Sequence, residues 1–125
     1  MIAADMAKRC PAARELRTAV LAGWRFAIME QGYATLLRDA RSRAVGVLWS
    51  ITARCERELD AFEGVSRGLY GKETLMIDDA PALVYLAAST VPGRPRAGYL
   101  EPIVAAAQAR GFPTDYLEEM RRWLP

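Results

Sequence analysis

The chain contains no histidine, which removes Ser-His-Asp and Cys-His catalysis, the His-Glu-x-x-His zinc motif and every other site built on imidazole. It also has no Cys-x-x-Cys, no G-x-x-x-x-G-K-[ST] and no G-x-G-x-x-G, so a thiol redox pair, a phosphate-cradling loop and a dinucleotide fingerprint are not encoded. No apolar run approaches the ~20 residues that span a bilayer. The first ten residues carry Asp5 and no apolar core of the kind found in secretory signals. Cysteine is limited to Cys10 and Cys55. Without an export signal, these are expected to be free buried thiols, and the protein to be cytoplasmic. Lysine occurs only as Lys8 and Lys72. The dominance of arginine and alanine points to a GC-rich bacterial genome.

The 125 residues suit one compact domain spanning 1–125. With 52% apolar residues, 26% charged residues and a formal net charge of +2, the balance is that of a globular protein. The basic residues are scattered. Arg94 and Arg96 flank a proline and Arg121 and Arg122 sit near the end, without the interleaved aromatics of a nucleic-acid platform. Neither nucleic acid nor membrane is an expected partner. Acid–base chemistry must therefore fall to a carboxylate, a lysine or a tyrosine.

Residues 3–14 read as a short helix or turn region ending at Pro11. Strands are expected over Thr18 to Ile28, interrupted at Gly23, over Gly32 to Leu37 and over Ala44 to Ser50, with Asp39 to Arg43 as a polar turn. The period then changes. Thr52 is a helix cap, Cys55, Leu59 and Phe62 fall on one apolar face, and Gly64 is the stop. Tyr70 to Ile77 and Ala82 to Ala88 read as strands joined by the Asp78-Asp79-Ala80-Pro81 turn. Two helices follow a Pro-rich loop over Val91 to Ala97: one from about Tyr99 to Arg110, with Pro102 in its first turn, and one from near Thr114. The fold class is α+β.

Glu63 stands out because it is the last residue before the Gly64 break. The partial negative charge of a helix end, together with flanking Phe62 and Val65, should raise its pKa there. On periodicity alone, a solvated helix-end glutamate is the favoured explanation of the position. The segment Leu59-Asp60-Ala61-Phe62-Glu63-Gly64-Val65, followed by Gly68-Leu69-Tyr70, alters that balance. It resembles the signature of the gamma-glutamylcyclotransferase family. Gly32-Tyr33-Ala34-Thr35, Val45-Gly46-Val47-Leu48-Trp49, the run from Arg94 to Ile103 and Gly111-Phe112-Pro113-Thr114-Asp115-Tyr116 match further family motifs in the same order.

The resemblance implies a small mixed β-barrel of about five to six strands with helices outside. It implies conversion of a gamma-glutamyl amino acid or amine into 5-oxoproline and free amine, as in glutathione metabolism, with no cofactor and no metal. Glu63 would be the general acid/base, and Gly64, Tyr70 and Tyr99 the substrate-binding residues. For the two tyrosines, simple packing with hydroxyls reaching backbone groups is the competing reading. Lys72 and Glu73 are expected to face solvent, Trp24, Trp49 and Trp123 to be core, and Arg67 to lie in an exposed loop. A homodimer is compatible with the resemblance. The family's first strand and its Tyr-Gly-Ser-Asn loop have no counterpart here, and an upstream reading frame carrying them is expected. A non-catalytic binding or interaction module on the same fold is the alternative.

Overall fold

A computed structural model describes residues 3–125 of the chain. In order, the elements are α1 (Ala3–Arg9), β1 (Arg14–Ile28), β2 (Ala34–Ser50), α2 (Ala53–Phe62), a single 3-10 turn (Val65–Arg67), β3 (Tyr70–Ile77), β4 (Ala80–Ala87), α3 (Leu100–Ala109) and α4 (Thr114–Arg121). The architecture is mixed α+β. Its strands pair as two two-stranded sheets, β1 with β2 and β3 with β4, and no closed barrel is found among the described residues. The residues divide into two compact units: those up to Val20 with Gly46–Ala88, and Leu21–Val45 with Ser89–Pro125.

In the first unit, Thr52 caps α2, its hydroxyl oxygen accepting from the Cys55 amide at 3.2 Å. Cys55 and Leu59 bury one face of the helix. Phe62, expected on that face, is instead 52% exposed at the end of the helix, where the Arg9 guanidinium carbon lies 3.3 Å from its ring centroid. The expectation of free thiols is also overturned. Cys10 and Cys55 form a disulfide, with Cα atoms 5.2 Å apart, a separation suited to a bridge. The packing of α1 on α2 brings the two sulfurs together, a long-range contact that neither cysteine spacing nor compartment encodes.

β3 and β4 form an antiparallel hairpin, Tyr70 facing Ala87 and Ile77 facing Ala80. Its two-residue turn places Asp78 and Asp79 at φ 51° and 64°, the double left-handed conformation that matches strand twist. Aspartate tolerates that region better than most side chains do. Arg17 pairs with Asp78 at 2.6 Å. Pro81 faces Met76, so the strand starts at Ala80 rather than at Ala82.

β1 and β2 pass through both units. Only residues 29–33 join them, too few for a crossover, so the two strands run antiparallel. The expected polar turn at Asp39–Arg43 lies inside β2, which leaves four strands among the described residues rather than the expected five or six. The turn signature is locally genuine: Asp39 accepts from the Arg41 amide and the Ser42 hydroxyl, each at 3.0 Å. Long-range pairing nevertheless keeps the backbone extended. Within the second unit, Arg25 meets Asp39 at 3.3 Å, Arg38 covers the Trp24 ring, and Arg43 grips both carboxylate oxygens of Asp115 at 2.9 Å. Gly23, at φ 86°, bends β1 without ending it.

The second unit is also held by the loop over residues 91–97. Met29 bridges Pro92, the Arg96 amide donates to the Gly32 carbonyl at 3.2 Å, and the Arg96 Nε donates to the Gln31 carbonyl at 3.0 Å. A Cβ on Gly32 would stand 2.7 Å from the Arg96 Cγ, so the glycine is required by space as well as by its φ of 91°. α3 packs on α4. Tyr116 is buried, meeting Phe26 edge-on at 6.4 Å and Phe112 at 6.2 Å, and burial pushes its hydroxyl up to about 12.

Candidate active site

Helix α2 ends where its sequence says it should. The Glu63 amide closes the last turn onto the Leu59 carbonyl at 2.8 Å. Gly64 then turns left-handed at φ 66°. Its carbonyl accepts from the amides of both Arg67 and Leu69 at 3.1 Å. A Cβ at Gly64 would lie 2.9 Å from Arg67 Nη2 and 3.2 Å from Leu69 Cβ. Glycine is specified by the left-handed conformation; an added methyl would also crowd Leu69, while the end of the Arg67 side chain can move aside. The turn delivers the chain into β3, whose first residue, Tyr70, is buried. Glu63, Gly64 and Tyr70 consequently sit within eight consecutive residues of the first unit.

Glu63 is half-buried, and among the described residues its carboxylate has no hydrogen-bond partner. Desolvation raises its pKa above the ordinary 4.5, and the positive charge of Arg9 opposes part of that rise. Burial favours the protonated form and the guanidinium favours the carboxylate. The outcome is a carboxylate more basic than one in water.

Beside it on α2, Glu56 and Asp60 precede Glu63 at helical spacing and form a polar cluster with the β3–β4 hairpin. Lys72 pairs with Glu56 and, at 3.0 Å, with Asp60. The Tyr85 hydroxyl donates to Asp60 at 2.6 Å. That bond lowers the Asp60 pKa, with Lys72 contributing. Burial and the Asp60 hydrogen bond raise the Tyr85 pKa, and the Glu63 charge adds to the rise. Tyr85 is therefore a neutral donor within electrostatic reach of Glu63. Neither Tyr85 nor Arg9 was picked out from the sequence. The available signal for Tyr85 was the register: Lys72 and Tyr85 face each other across the hairpin, opposite the acidic pair Glu56 and Asp60. Lys72 is exposed, as expected, and is also ion-paired to Glu56 and Asp60. Arg67 is exposed, as expected.

Tyr99 belongs to the second unit. Its hydroxyl accepts from the Ala34 amide at 3.0 Å, and its ring meets Tyr33 edge-on at 5.4 Å. Arg96 stacks on Tyr33 in turn. Among the described residues, no group of three or more histidine, cysteine, aspartate or glutamate side chains is arranged to hold a metal ion. No helix there is long and apolar enough to cross a membrane.

Comparison with known proteins agrees with the sequence motifs. No curated protein sequence matches. A gamma-glutamyl cyclotransferase structure matches 99% of this chain and 82% of its own, at 21% identity and a TM-score of 0.84. An uncharacterized protein from Homo sapiens, loc79017, matches over the same shares at 22% identity and the same TM-score. The crystal structure of YkqA from Bacillus subtilis matches 86% of this chain but 43% of its own, at 22% identity and a TM-score of 0.72. At these identities the likeness is one of fold. The profile of the AIG2-like family spans residues 43–120, a stretch that holds α2, the Glu63-Gly64 turn, Tyr70, Tyr85 and Tyr99. The chain belongs to the AIG2-like family, on a fold that it shares with a gamma-glutamyl cyclotransferase.

Proposed function

We propose that the protein is a cofactor-independent cyclotransferase that releases 5-oxoproline from a gamma-glutamyl amino acid or amine, with Glu63 as the general acid/base and the strands forming the small barrel that the family resemblance implies. The observation that carries this reading is the half-buried Glu63 carboxylate at the α2 terminus, its pKa raised by desolvation, in a chain of the AIG2-like family.

Glu63 takes a proton from the substrate's α-ammonium. The freed amine attacks the γ-carbonyl carbon of the same molecule, forming the ring C–N bond. The protonated Glu63 then returns its proton to the departing nitrogen as the original amide C–N bond breaks. The ring nitrogen gives up its second proton through the regenerated Glu63 carboxylate to the released amine, so the products are 5-oxoproline and the leaving amine as its ammonium ion. Because nucleophile and electrophile are already tethered, orientation supplies much of the acceleration, and one base of raised pKa suffices. Gly64 lets the chain turn tightly beside the base, and the Tyr70 hydroxyl binds the substrate's polar groups. The working protein is cytoplasmic.

The test is release of 5-oxoproline from a panel of gamma-glutamyl amides by wild type and by Glu63→Gln. Loss of general acid–base catalysis predicts a drop of roughly 10²–10⁴-fold with an unchanged far-UV spectrum. A wild type that releases no 5-oxoproline from any of them would leave the binding-module reading in its place.

A further inference from the structure

The disulfide joins the end of α1 to the first turn of α2, while Arg9, the residue before Cys10, reaches the opposite end of α2. Cys55 and Phe62 are seven residues apart, about 10 Å along a helix axis. The Arg9 side chain runs toward that end of the helix, its guanidinium carbon 3.3 Å from the centroid of the Phe62 ring, one residue before Glu63. The covalent anchor and the charge beside the candidate base therefore sit on adjacent residues. Among the described residues, the groups electrostatically linked to Glu63 are Arg9 from α1 and Tyr85 from β4; Asp60 and Glu56 lie three and seven residues before it on α2, and the Arg67 side chain ends near Gly64. Arg9 is the one that arrives on an element tethered by a reducible bond.

We propose that the Cys10–Cys55 disulfide is a thiol-responsive clamp that holds Arg9 as a positioning residue for Glu63, so that reduction loosens α1 and detunes the site. Both cysteines are buried, so a dithiol reaches the sulfurs when the seven-residue α1 lifts from α2, a local opening of the kind short helices undergo. A dithiol thiolate attacks one sulfur to give a mixed disulfide, which its second thiol then resolves. Two electrons and two protons pass to the cysteines. Cys10 and Cys55 become thiols and the dithiol becomes a cyclic disulfide. With the bond open, Arg9 is no longer tied to the end of α2.

The clamp is proposed on the reading of Glu63 as the base, but its test does not need turnover. The Glu63 carboxyl is titrated by NMR in the oxidised wild type, in the wild type reduced with dithiothreitol, and in Arg9→Gln with its disulfide intact. Reduction should raise the Glu63 pKa by about half a pH unit or more, the direction expected on losing a nearby opposite charge. Arg9→Gln should show the same rise while oxidised and no further rise on reduction. Equal titrations in oxidised and reduced wild type would overturn the clamp. So would a reduction shift that persists in Arg9→Gln, or global unfolding on reduction, which would make the bond purely structural. 5-Oxoproline release is followed in parallel. A pKa that moves while no gamma-glutamyl amide is cyclised leaves the clamp standing and removes the cyclotransferase reading. Turnover with identical pH profiles in both redox states does the reverse.

Discussion

The Tyr85 hydroxyl donates to the Asp60 carboxylate at 2.6 Å, tying the β3–β4 hairpin to the helix that ends in Glu63. Asp60 also receives Lys72, so hairpin and helix meet through a charged knot. Removing the hydroxyl leaves the ring in place and breaks that tie, together with the longer bond from the same hydroxyl to the Glu56 carbonyl at 3.4 Å. Tyr85→Phe should lower the melting temperature by a few degrees near neutral pH. The Asp60 pKa is held below 3.8, first by the Tyr85 bond. Stability from this source is present above about pH 4 and is lost as pH falls through the folded-state value. Tyr85→Phe should therefore melt with a shallower dependence on pH below 4, which a series of thermal melts would reveal.

Glu63 contributes with the opposite sign. Its folded pKa lies above its ordinary 4.5 because of desolvation, so the folded state favours the protonated acid. The contribution to stability is complete below pH 4.5 and declines as pH rises through the folded value. Glu63→Gln carries no such charge. At pH 7 its melting temperature should equal or exceed that of wild type even though catalysis is lost, and the difference should vanish near pH 4. A lower melting temperature at pH 7 would mean that the carboxylate is held by favourable contacts and is not strained.

At Gly64, alanine must adopt a φ near 66° and push its methyl against Arg67 and Leu69. Gly64→Ala should cost about 1–2 kcal/mol, read as a fall in the urea midpoint at an unchanged slope. Activity should fall with it, because the turn sets the direction in which Glu63 leaves the helix.

The disulfide closes a loop with a sequence separation of 45. In the chain-entropy account, a loop of that size contributes about 4 kcal/mol. Urea unfolding in the presence of dithiothreitol should show a loss of that order. A loss below about 1 kcal/mol would indicate that α1 contributes little to the cooperative fold.

Much of this was legible in the sequence because the relevant signals are local. Thr52 and Gly64 mark the two ends of α2, Pro102 and Thr114 place the last helices, and Asp78-Asp79 marks the hairpin. Glu63 stood out by its place at the helix end, whereas Gly64 and Tyr70 entered as candidate site residues only through the family motif that carries all three on one short turn. The features that escaped depend on partners distant in sequence. Asp39–Arg43 carries the composition and even the hydrogen bonds of a turn, yet Arg25 and Asp115 stabilise it as a strand. Cys10 meets Cys55 only through the packing of α1 on α2. Arg9 and Tyr85 approach the site from elements far from Glu63 in the chain, so no spacing rule marks them.

The tip of the β3–β4 hairpin has a practical use. Asp78 and Asp79 are exposed and hold a backbone shape that glycine adopts at no steric cost. Asp79→Gly should therefore tighten the turn, while Asp78 keeps its bond to Arg17. A site so tolerant of change, in the same unit as Glu63 but eight residues beyond Tyr70, is a natural place for a fluorophore or an affinity handle. Such a reporter would follow the opening of the protein without touching the chemistry assigned to it.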